Sequence, residues 1–324
     1  MQVKKGIVIV FAILAASITS VAAQTYPSRP ITITIAFPPG GPSEGLIRLL
    51  AERMSLSLGQ PVVIENRPGG AGGSVGTKAV AGATPDGHTL LLSPPGALVV
   101  APLVYRDVGY DPIKAFTPIA TLMSMPQVLV VHPTVPAKSM QEFVAYAKAN
   151  PGKINFPSPG YGTQPHLLGE MFKWMAGVEI IHVPYKGPAQ AVTDLLAGQV
   201  QMSFQNVGFM LPHIEAGKLK ALAIADEVRD PTLPDVPTTI ESGLPNLQAT
   251  FWMGIVAPTG VPPAIIKRLN AEINAVMKTK EAEAMLAKLN AKPKPGSPED
   301  FAAFIAAETQ KWAAVVKAAN IRAD

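Results

Sequence analysis

The chain has 324 residues, of which 48% are hydrophobic and none is cysteine, and its formal net charge is +4. This length and hydrophobicity support one large domain or two of ordinary size and exclude an intrinsically disordered protein. Without cysteine there is no disulfide framework and no lipid-modified cysteine, and the small net charge does not indicate a nucleic-acid or membrane-surface partner.

The first 23 residues have the pattern of a secretory signal peptide. Lys4 and Lys5 precede an apolar run over residues 6–18, and small residues end the segment at 21–23. The run is shorter than the roughly 18 to 20 residues that a membrane span needs. We therefore expect cleavage of residues 1–23 and a mature protein, starting near Gln24, that is soluble in a bacterial periplasm.

Residues 24–125 predict alternating strands and helices. Residues 31–36 alternate like a strand, and residues 44–58 carry apolar side chains at helical spacing. A short strand near 61–65, a glycine-rich turn, a helix near 76–83 and a strand over 88–93 follow. Repeated strand-then-helix units predict a mostly parallel sheet covered by helices.

A second series of strands and helices begins near Gln127. Strands are predicted at 127–133, 153–159, 179–185, 199–205 and 218–225, with helices between them. The first of these helices is expected to start at Ser139, with Glu142 completing a capping box. A strand at 251–258 and two terminal helices follow. We expect a first lobe of residues 24–125 plus 251–324, a second lobe of residues 126–250, and a hinge where the chain crosses twice.

The predicted turns between strands and helices carry the candidate binding residues. The turn FPPGGPSE (37–44) places main-chain amides at a helix start, where few have intrahelical partners and anions are attracted. The turn SPGYGTQPH (158–166) repeats this arrangement, with Thr163 as the expected N-cap. Because ligands of open α/β sheets bind beyond the carboxyl ends of strands, these turns should converge on one interlobe cleft. The candidates are Phe37, Pro39, Gly40, Gly41, Pro42, Ser43, Glu44, Ser93, Pro94, Ser158, Gly160, Tyr161, Gly162, Thr163, His166, Tyr185, Lys186, Gly187, Phe204, Gln205 and Asn206.

Two motifs invite other interpretations. Residues 41–45 spell GxSxG, so Ser43 is a candidate nucleophile of a secreted hydrolase, but that site also needs an acid, a histidine and an oxyanion loop, and no HGGG-like segment is present. The competing interpretation of Ser43 is a helix cap. The segment NRPGGAGG matches neither GxGxxG nor GxxxxGK[ST], which disfavours a phosphate or dinucleotide site.

The five histidines do not have the spacing of a zinc site. We expect no metal, no cofactor and no catalytic residue. His132 and His182 are predicted at the edge of the core. Three candidates have structural alternatives: His166 as a helix-start residue bonded to its own turn, Lys186 as a solvated surface lysine, and Tyr161 as an exposed ring.

Six motifs together resemble one family, the Bug or TctC-like periplasmic substrate receptors of tripartite tricarboxylate transporters. They cover essentially the whole mature chain: YPSRPITI, FPPGGPSE, VVIENRPGGAGGSVGTKAVAGATPDGHTLLL, SPGYGTQPHLLGEMF, HVPYKGPAQAVTDLLAGQV and MGIVAPTGVPPAIIKRLN. The resemblance implies a two-lobed, type II-like Venus flytrap rather than an enzyme. It also implies a monomer whose turns grip a small organic carboxylate, largely through main-chain amides and water, and which delivers it to a membrane permease.

Two residues depart from the pattern of the family that the chain resembles. Glu44 stands where the first turn usually has Asp, and Gln205 stands where an Asp often follows the strand. Loss of an acid that could pair with an ammonium favours a dicarboxylate without an amino group, aliphatic or aromatic. A receptor that presents its ligand to a sensor kinase remains an alternative, because it needs the same closing lobes.

Overall fold

The computed structural model describes residues 26–39, 43–70, 73–185 and 187–322. The predicted signal peptide and the candidates Gly40, Gly41, Pro42 and Lys186 lie outside these ranges. Among the helices of the described ranges, none combines the length and the apolar character that a membrane crossing requires.

The described residues form strands and helices in an order close to the predicted one. In chain order they are β1 (Ile31–Ile35), α1 (Glu44–Leu58), β2 (Val62–Asn66), α2 (Ser74–Ala81), β3 (Thr89–Ser93), a π-helical turn (Gly96–Val100), α3 (Ala101–Val104), α4 (Pro112–Ala115), β4 (Phe116–Val131), α5 (Met140–Ala149), β5 (Ile154–Ser158), α6 (Gln164–Ala176), β6 (Ile180–Pro184), α7 (Pro188–Leu196), β7 (Met202–Asn206), α8 (Val207–Glu215), β8 (Lys220–Ile224), β9 (Thr250–Pro258), α9 (Pro263–Met277), α10 (Lys280–Lys288), β10 (Lys292–Pro293) and α11 (Pro298–Ala318).

One long strand, β4, belongs to two sheets, the first and the second, whereas β5 and β6 form a separate two-stranded sheet. Its residues 116–126 pair antiparallel with β9, which leads on to β3, β1 and β2 in the first sheet. Its residues 127–131 pair antiparallel with β7 and β8 in the second sheet. β1 lies parallel to β2 and β3, and β5 lies parallel to β6. The chain is therefore the two-lobed α/β protein that the sequence predicts, with β4 and β9 as the crossing strands.

Alternation along the strands divides the hydrophobic core. Ile31 and Ile33 of β1 belong to a cluster that α1 and α9 cover, whereas Leu91 of β3 lies on the other face of the first sheet. In β4, Val128 and Leu129 likewise point to opposite faces of the second sheet. Each fully buried aliphatic side chain of this kind contributes about 1.5 to 3 kcal/mol to the stability of the fold. Side chains packed on both faces of the first and second sheets therefore stabilise the register of their strands.

Candidate functional site

The carboxyl ends of two groups of strands face each other across the crossing strands. We call the ends of β1, β2 and β3 the first rim, and the ends of β5, β6 and β7 the second rim. Ser93 at the first rim pairs with Gly254 of β9, and Asn206 at the second rim pairs with Gln127 of β4. Since Pro126 pairs with Thr250, about four residues of β9 separate the rims, or roughly 14 Å at about 3.4 Å per residue.

The helices that start at these rims lack side-chain caps. Ser43 occupies the N-cap of α1 and Thr163 that of α6, yet neither side chain accepts a hydrogen bond from its helix. The N-cap residues of α2, α7 and α8 are Gly73, Gly187 and Asn206, and none of them caps its helix through a side chain. The first amides of these helices are therefore not satisfied by the residue types that usually cap them.

Helices that start away from the rims behave differently. Asp111, Ser139, Thr279 and Ser297 accept main-chain hydrogen bonds at the starts of α4, α5, α10 and α11. Two helices are exceptions and have no side-chain cap: α3, which continues from the π-helical turn after Val100, and α9, which begins after Pro262. Missing caps are thus concentrated at the two rims, where anion-attracting helix starts are left open.

The turn that follows β5 is held by its own polar groups. The Thr163 hydroxyl donates to the Gly160 carbonyl at 2.7 Å instead of capping α6. The Ser158 hydroxyl donates to the Gly160 carbonyl at 2.9 Å and accepts from the Gly160 amide at 3.1 Å. The Gly162 amide donates to His166 Nδ1 at 3.3 Å, so His166 is bonded to its own turn. These bonds fix the backbone shape of the second rim.

Two neutral histidines and a tyrosine pack behind this turn. The rings of His166 and His182 lie 4.2 Å apart, and Tyr161 stands edge-on to both. Burial, reinforced by His182 and Lys173, lowers the pKa of His166 from 6.5 to about 3, and burial followed by Lys173 lowers the pKa of His182 to about 4. The pair therefore adds no charge to the second rim at neutral pH. Tyr161 remains 45% exposed.

At the first rim, the turn before α1 joins β1 to the end of β2. Asn66 Nδ2 donates to the Phe37 carbonyl at 2.9 Å, while Phe37 is half-buried and Pro39 is exposed. Glu44 accepts a hydrogen bond from Arg48 Nε at 3.0 Å, so its carboxylate forms an ion pair within α1.

Several other candidates are engaged in local bonds. Ser93 is 1% exposed and its hydroxyl donates to the carbonyl of Pro94 at 3.0 Å. The Tyr185 hydroxyl donates to Asp194 Oδ2 at 2.7 Å, and burial, followed by this bond, raises the pKa of Tyr185 to about 12. Asn206 accepts a hydrogen bond from Gln127 Nε2. These hydrogen bonds hold the three side chains at the ends of their strands.

Two candidate residues, Phe204 and Gln205, lie at the end of β7, and the structure places Phe204 in the core. Phe204, predicted as a binding residue, is 1% exposed and packs edge-on against Phe172 in the core. The predicted turn contained the last residues of a strand whose two faces are both covered. Gln205 is 6% exposed, and its Nε2 atom has no hydrogen-bond partner among the described residues.

Comparison with known proteins decides the family. The family model described as the tripartite tricarboxylate transporter family receptor, TctC, matches residues 46–321. The chain belongs to this receptor family. The protein BugT of Bordetella pertussis is 40% identical over 309 residues, which are 95% of this chain and 94% of BugT.

Solved structures of receptors in the same class share the fold. Rpa4515 of R. palustris, solved with adipate, is 35% identical with a TM-score of 0.81 and 92% of this chain covered. MatC of Rhodopseudomonas palustris, with bound malate, is 34% identical with a TM-score of 0.78 and 90% covered. The periplasmic binding protein BugD is 35% identical with a TM-score of 0.78 and 92% covered. Between 99% and 100% of each of these chains is matched.

Membership of a receptor family removes the hydrolase interpretation of GxSxG. The geometry agrees, because a serine–histidine contact occurs at Ser158 rather than at Ser43: Ser158 Oγ and His182 Nε2 share a hydrogen bond of 2.6 Å. Ser158 is fully buried, and His182 Nδ1 has no partner within the described ranges, so the acid of a triad is missing there. Nor do the described His, Asp and Glu residues gather in groups of three that would suit a metal ion.

Sequence reasoning missed four residues that shape the receptor's rims. His182 was expected only at the core edge, and the alternation of β6 places it on the face that packs against α6. Gln164 Nε2 donates to the Thr250 carbonyl on β9 at 2.7 Å, and the Tyr105 hydroxyl donates to the Tyr161 carbonyl at 3.3 Å. The fourth is Asp194. No local pattern identifies Gln164 or Tyr105, because their partners lie 86 and 56 residues away.

Proposed function

We propose that this receptor captures a small dicarboxylate without an amino group, aliphatic or aromatic, between the two rims and delivers it to the membrane permease of a tripartite tricarboxylate transporter. The protein is exported by residues 1–23 and works as a monomer. The lobes that close on the ligand are residues 24–125 plus 251–324 and residues 126–250. The binding residues are the candidates at the two rims, without the core residue Phe204.

The concentration of uncapped helix starts at the rims supports this proposal most strongly. An amide donor to an ionised oxygen contributes about 1.5 to 3 kcal/mol net, and each helix start adds about 0.3 to 1 kcal/mol. Four or five such contacts, less the cost of ordering and closure, lead us to expect a dissociation constant near or below about 1 μM. Helix starts on both rims suit a ligand with an anionic group at each end.

Charge pairing at the rims favours a ligand without an ammonium group. Glu44 pairs with Arg48, and Glu65 at the end of β2 pairs with Arg67 at 2.8 Å. Gln205 is neutral, and its Nε2 atom is a buried donor rather than an acceptor. Adipate and malate, the ligands of two related structures, are both dicarboxylates without nitrogen, which is the class we propose here.

Replacing an open helix start by a capped one tests the proposal. Thr163 has the extended backbone of an N-cap, with φ −89° and ψ 157°, so Thr163→Asp places a carboxylate on the amides of α6. We expect the free energy of unfolding to rise by about 0.5 to 2 kcal/mol. The affinity for a dicarboxylate should fall about tenfold or more, because the added carboxylate occupies the position of the ligand's anionic group.

Two control variants separate the effect of the added charge from the loss of the Thr163 hydroxyl and from a general effect of Asp at a helix start. Thr163→Val removes the hydroxyl bond to Gly160 without adding charge, and Ser139→Asp changes the already capped start of α5. Affinity should persist in Ser139→Asp and fall less in Thr163→Val than in Thr163→Asp. Binding would be measured by thermal shift and calorimetry with mono-, di- and tricarboxylates, amino acids and sugars. Unchanged dicarboxylate affinity in Thr163→Asp, or shifts with sugars alone, would rule out the proposal.

A further inference from the structure

The hydroxyl of Ser158 has three hydrogen-bond partners. It lies 2.9 Å from the Gly160 carbonyl, 3.1 Å from the Gly160 amide and 2.6 Å from His182 Nε2. A serine hydroxyl has one proton to donate and two lone pairs that accept. The Gly160 carbonyl can only accept and the Gly160 amide can only donate, so they take the proton and one lone pair. The second lone pair needs a donor, which is a proton on His182 Nε2.

The other ring nitrogen of His182 agrees with this arrangement. Nδ1 is buried and has no hydrogen-bond partner among the described residues. A buried N–H group without an acceptor is rarer in proteins than an unpaired acceptor. Burial, followed by the charge of Lys173, lowers the pKa of His182 to about 4, so the ring holds one proton at neutral pH. That proton belongs on Nε2.

Neighbouring rings hold the imidazole beside the turn. β5 and β6 pair so that Phe156 lies opposite His182, with Ser158 two residues further along β5 on the same face. The rings of Phe156, Tyr161 and His166 lie 5.1, 5.0 and 4.2 Å from the His182 ring. The ring is therefore packed on several sides and stays within reach of Ser158.

A second histidine holds the other glycine of the turn. The Gly162 amide donates to His166 Nδ1 at 3.3 Å, so the amides of Gly160 and Gly162 are both directed to side chains. Within the part of the chain that the structure describes, the intervening amides of Tyr161 and Thr163 have no hydrogen-bond acceptor. These two amides remain available to an anion.

We propose that His182 is a positioning residue of the receptor. Its Nε2–H group donates to Ser158 Oγ, and Ser158 in turn holds both main-chain groups of Gly160. The conformation fixed in this way directs the amides of Tyr161 and Thr163 toward the ligand's carboxylate, while His182 itself does not touch the ligand. The effect on binding rests on the proposed function, whereas the position of the ring proton does not depend on a ligand.

Nitrogen-15 NMR of the imidazole rings tests the position of the proton in the wild-type protein. Protonated and unprotonated ring nitrogens have well separated shifts, and the His182 signals are those that a His182→Gln variant lacks. We expect His182 at pH 7 to carry its proton on Nε2 and none on Nδ1. A proton on Nδ1 would overturn the proposal, because Nε2 would then accept from Ser158 and leave the Gly160 carbonyl without its donor.

Matched variants test the consequence for binding. His182→Phe keeps an aromatic ring and removes the donor, whereas His182→Gln keeps an amide donor. Calorimetry should show adipate affinity about tenfold weaker in His182→Phe and within about twofold of the wild type in His182→Gln, as expected for one hydrogen bond to a positioned group. The control His132→Phe removes a second-lobe histidine that bonds Thr134, and its adipate affinity should equal that of the wild type.

A double-mutant cycle shows whether His182 acts through the Ser158 hydroxyl. In a Ser158→Ala background, His182→Phe should change adipate affinity by less than about twofold, because the bond that it removes is already absent. Equal losses in both backgrounds, or no rescue by His182→Gln, would overturn the proposal. If the wild type does not bind adipate, the dicarboxylate proposal fails, and hydrogen exchange of the Gly160 amide decides instead. That exchange should be at least about tenfold faster in His182→Phe than in His182→Gln, and equal rates would overturn the positioning role.

Discussion

Adding one methyl group at Gly162 should disturb the second rim more than the same change elsewhere. Gly162 has φ +71°, and a Cβ atom there would lie 3.0 Å from Val104 Cγ2 and 3.1 Å from Tyr105 Cε2. Gly59, after α1, has nearly the same conformation, φ +69°, but no atom within 4 Å of the added Cβ. The two glycine-to-alanine changes should therefore have the same backbone strain energy and differ only in the crowding of the added methyl group.

The expected difference follows from these two terms. Alanine in a left-handed conformation costs about 1 to 2 kcal/mol, and this is the whole expected cost of Gly59→Ala. Gly162→Ala adds crowding against α3 and Tyr105, for which overpacking costs about 1 to 3 kcal/mol. Because the crowding joins the second rim to residues 104 and 105, we also expect dicarboxylate affinity to fall about tenfold in Gly162→Ala and not in Gly59→Ala.

Urea denaturation and calorimetric titration of the two variants measure both effects. A common stability loss and unchanged affinity in both variants would refute the reasoning, because they would mean that Gly162 is not packed against Val104 and Tyr105. A further check is Tyr105→Ala in the Gly162→Ala background. If crowding by the ring is the cause, part of the lost affinity should return.

Three further predictions concern single groups at the rims. The fold holds His166 and His182 neutral, with pKa values of about 3 and 4 against 6.5. The free energy of unfolding should therefore be highest above about pH 6.5 and should fall as the pH drops toward 4, by up to about 1.4 kcal/mol per pH unit for each histidine. A His182→Gln variant with an equally steep profile in acid denaturation would contradict this. Ser158→Ala removes the bonds to Gly160 and His182 and should cost about 1 to 3 kcal/mol in urea unfolding, whereas a loss within error would show that the turn does not need them. Glu44→Gln removes an anion from the first rim and should tighten dicarboxylate binding severalfold in calorimetry; weaker binding would mean that Glu44 holds the ligand.

Periodicity predicted most of the fold because most elements are covered on one face. Alternation and helical spacing correctly placed the strand and the helix on either side of residues 37–44, which are β1 and α1. They also placed β5 and α6, on either side of residues 158–166. Ser139 caps α5 as expected, accepting from the Glu142 amide at 3.1 Å. The reciprocal bond of the predicted capping box goes one residue earlier, from the Lys138 amide to Glu142 at 2.8 Å. The capping-box pattern therefore identified the start of α5 correctly, but it named the wrong amide as the donor to Glu142.

The remaining features depend on contacts that a local pattern does not contain. The first part of β4, residues 116–126, is largely buried on both faces and shows no clean alternation, so the predicted strand began only at Gln127. For the same reason Phe204 looked like a rim residue although both faces of β7 are covered. Thr163 occupies the expected N-cap position of α6, but its hydroxyl donates to the Gly160 carbonyl instead of capping the helix.

Calorimetric titration of the mature protein with adipate and with hexanoate tests the central claim most directly. The two acids have equal chain length and differ in the second carboxylate. We predict one site that binds adipate or another dicarboxylate in the same series near or below about 1 μM, and that binds the matching monocarboxylate at least about a hundredfold more weakly, because one rim then has no anion. Equal affinity for both acids, or no binding of any dicarboxylate in the series, would contradict the account.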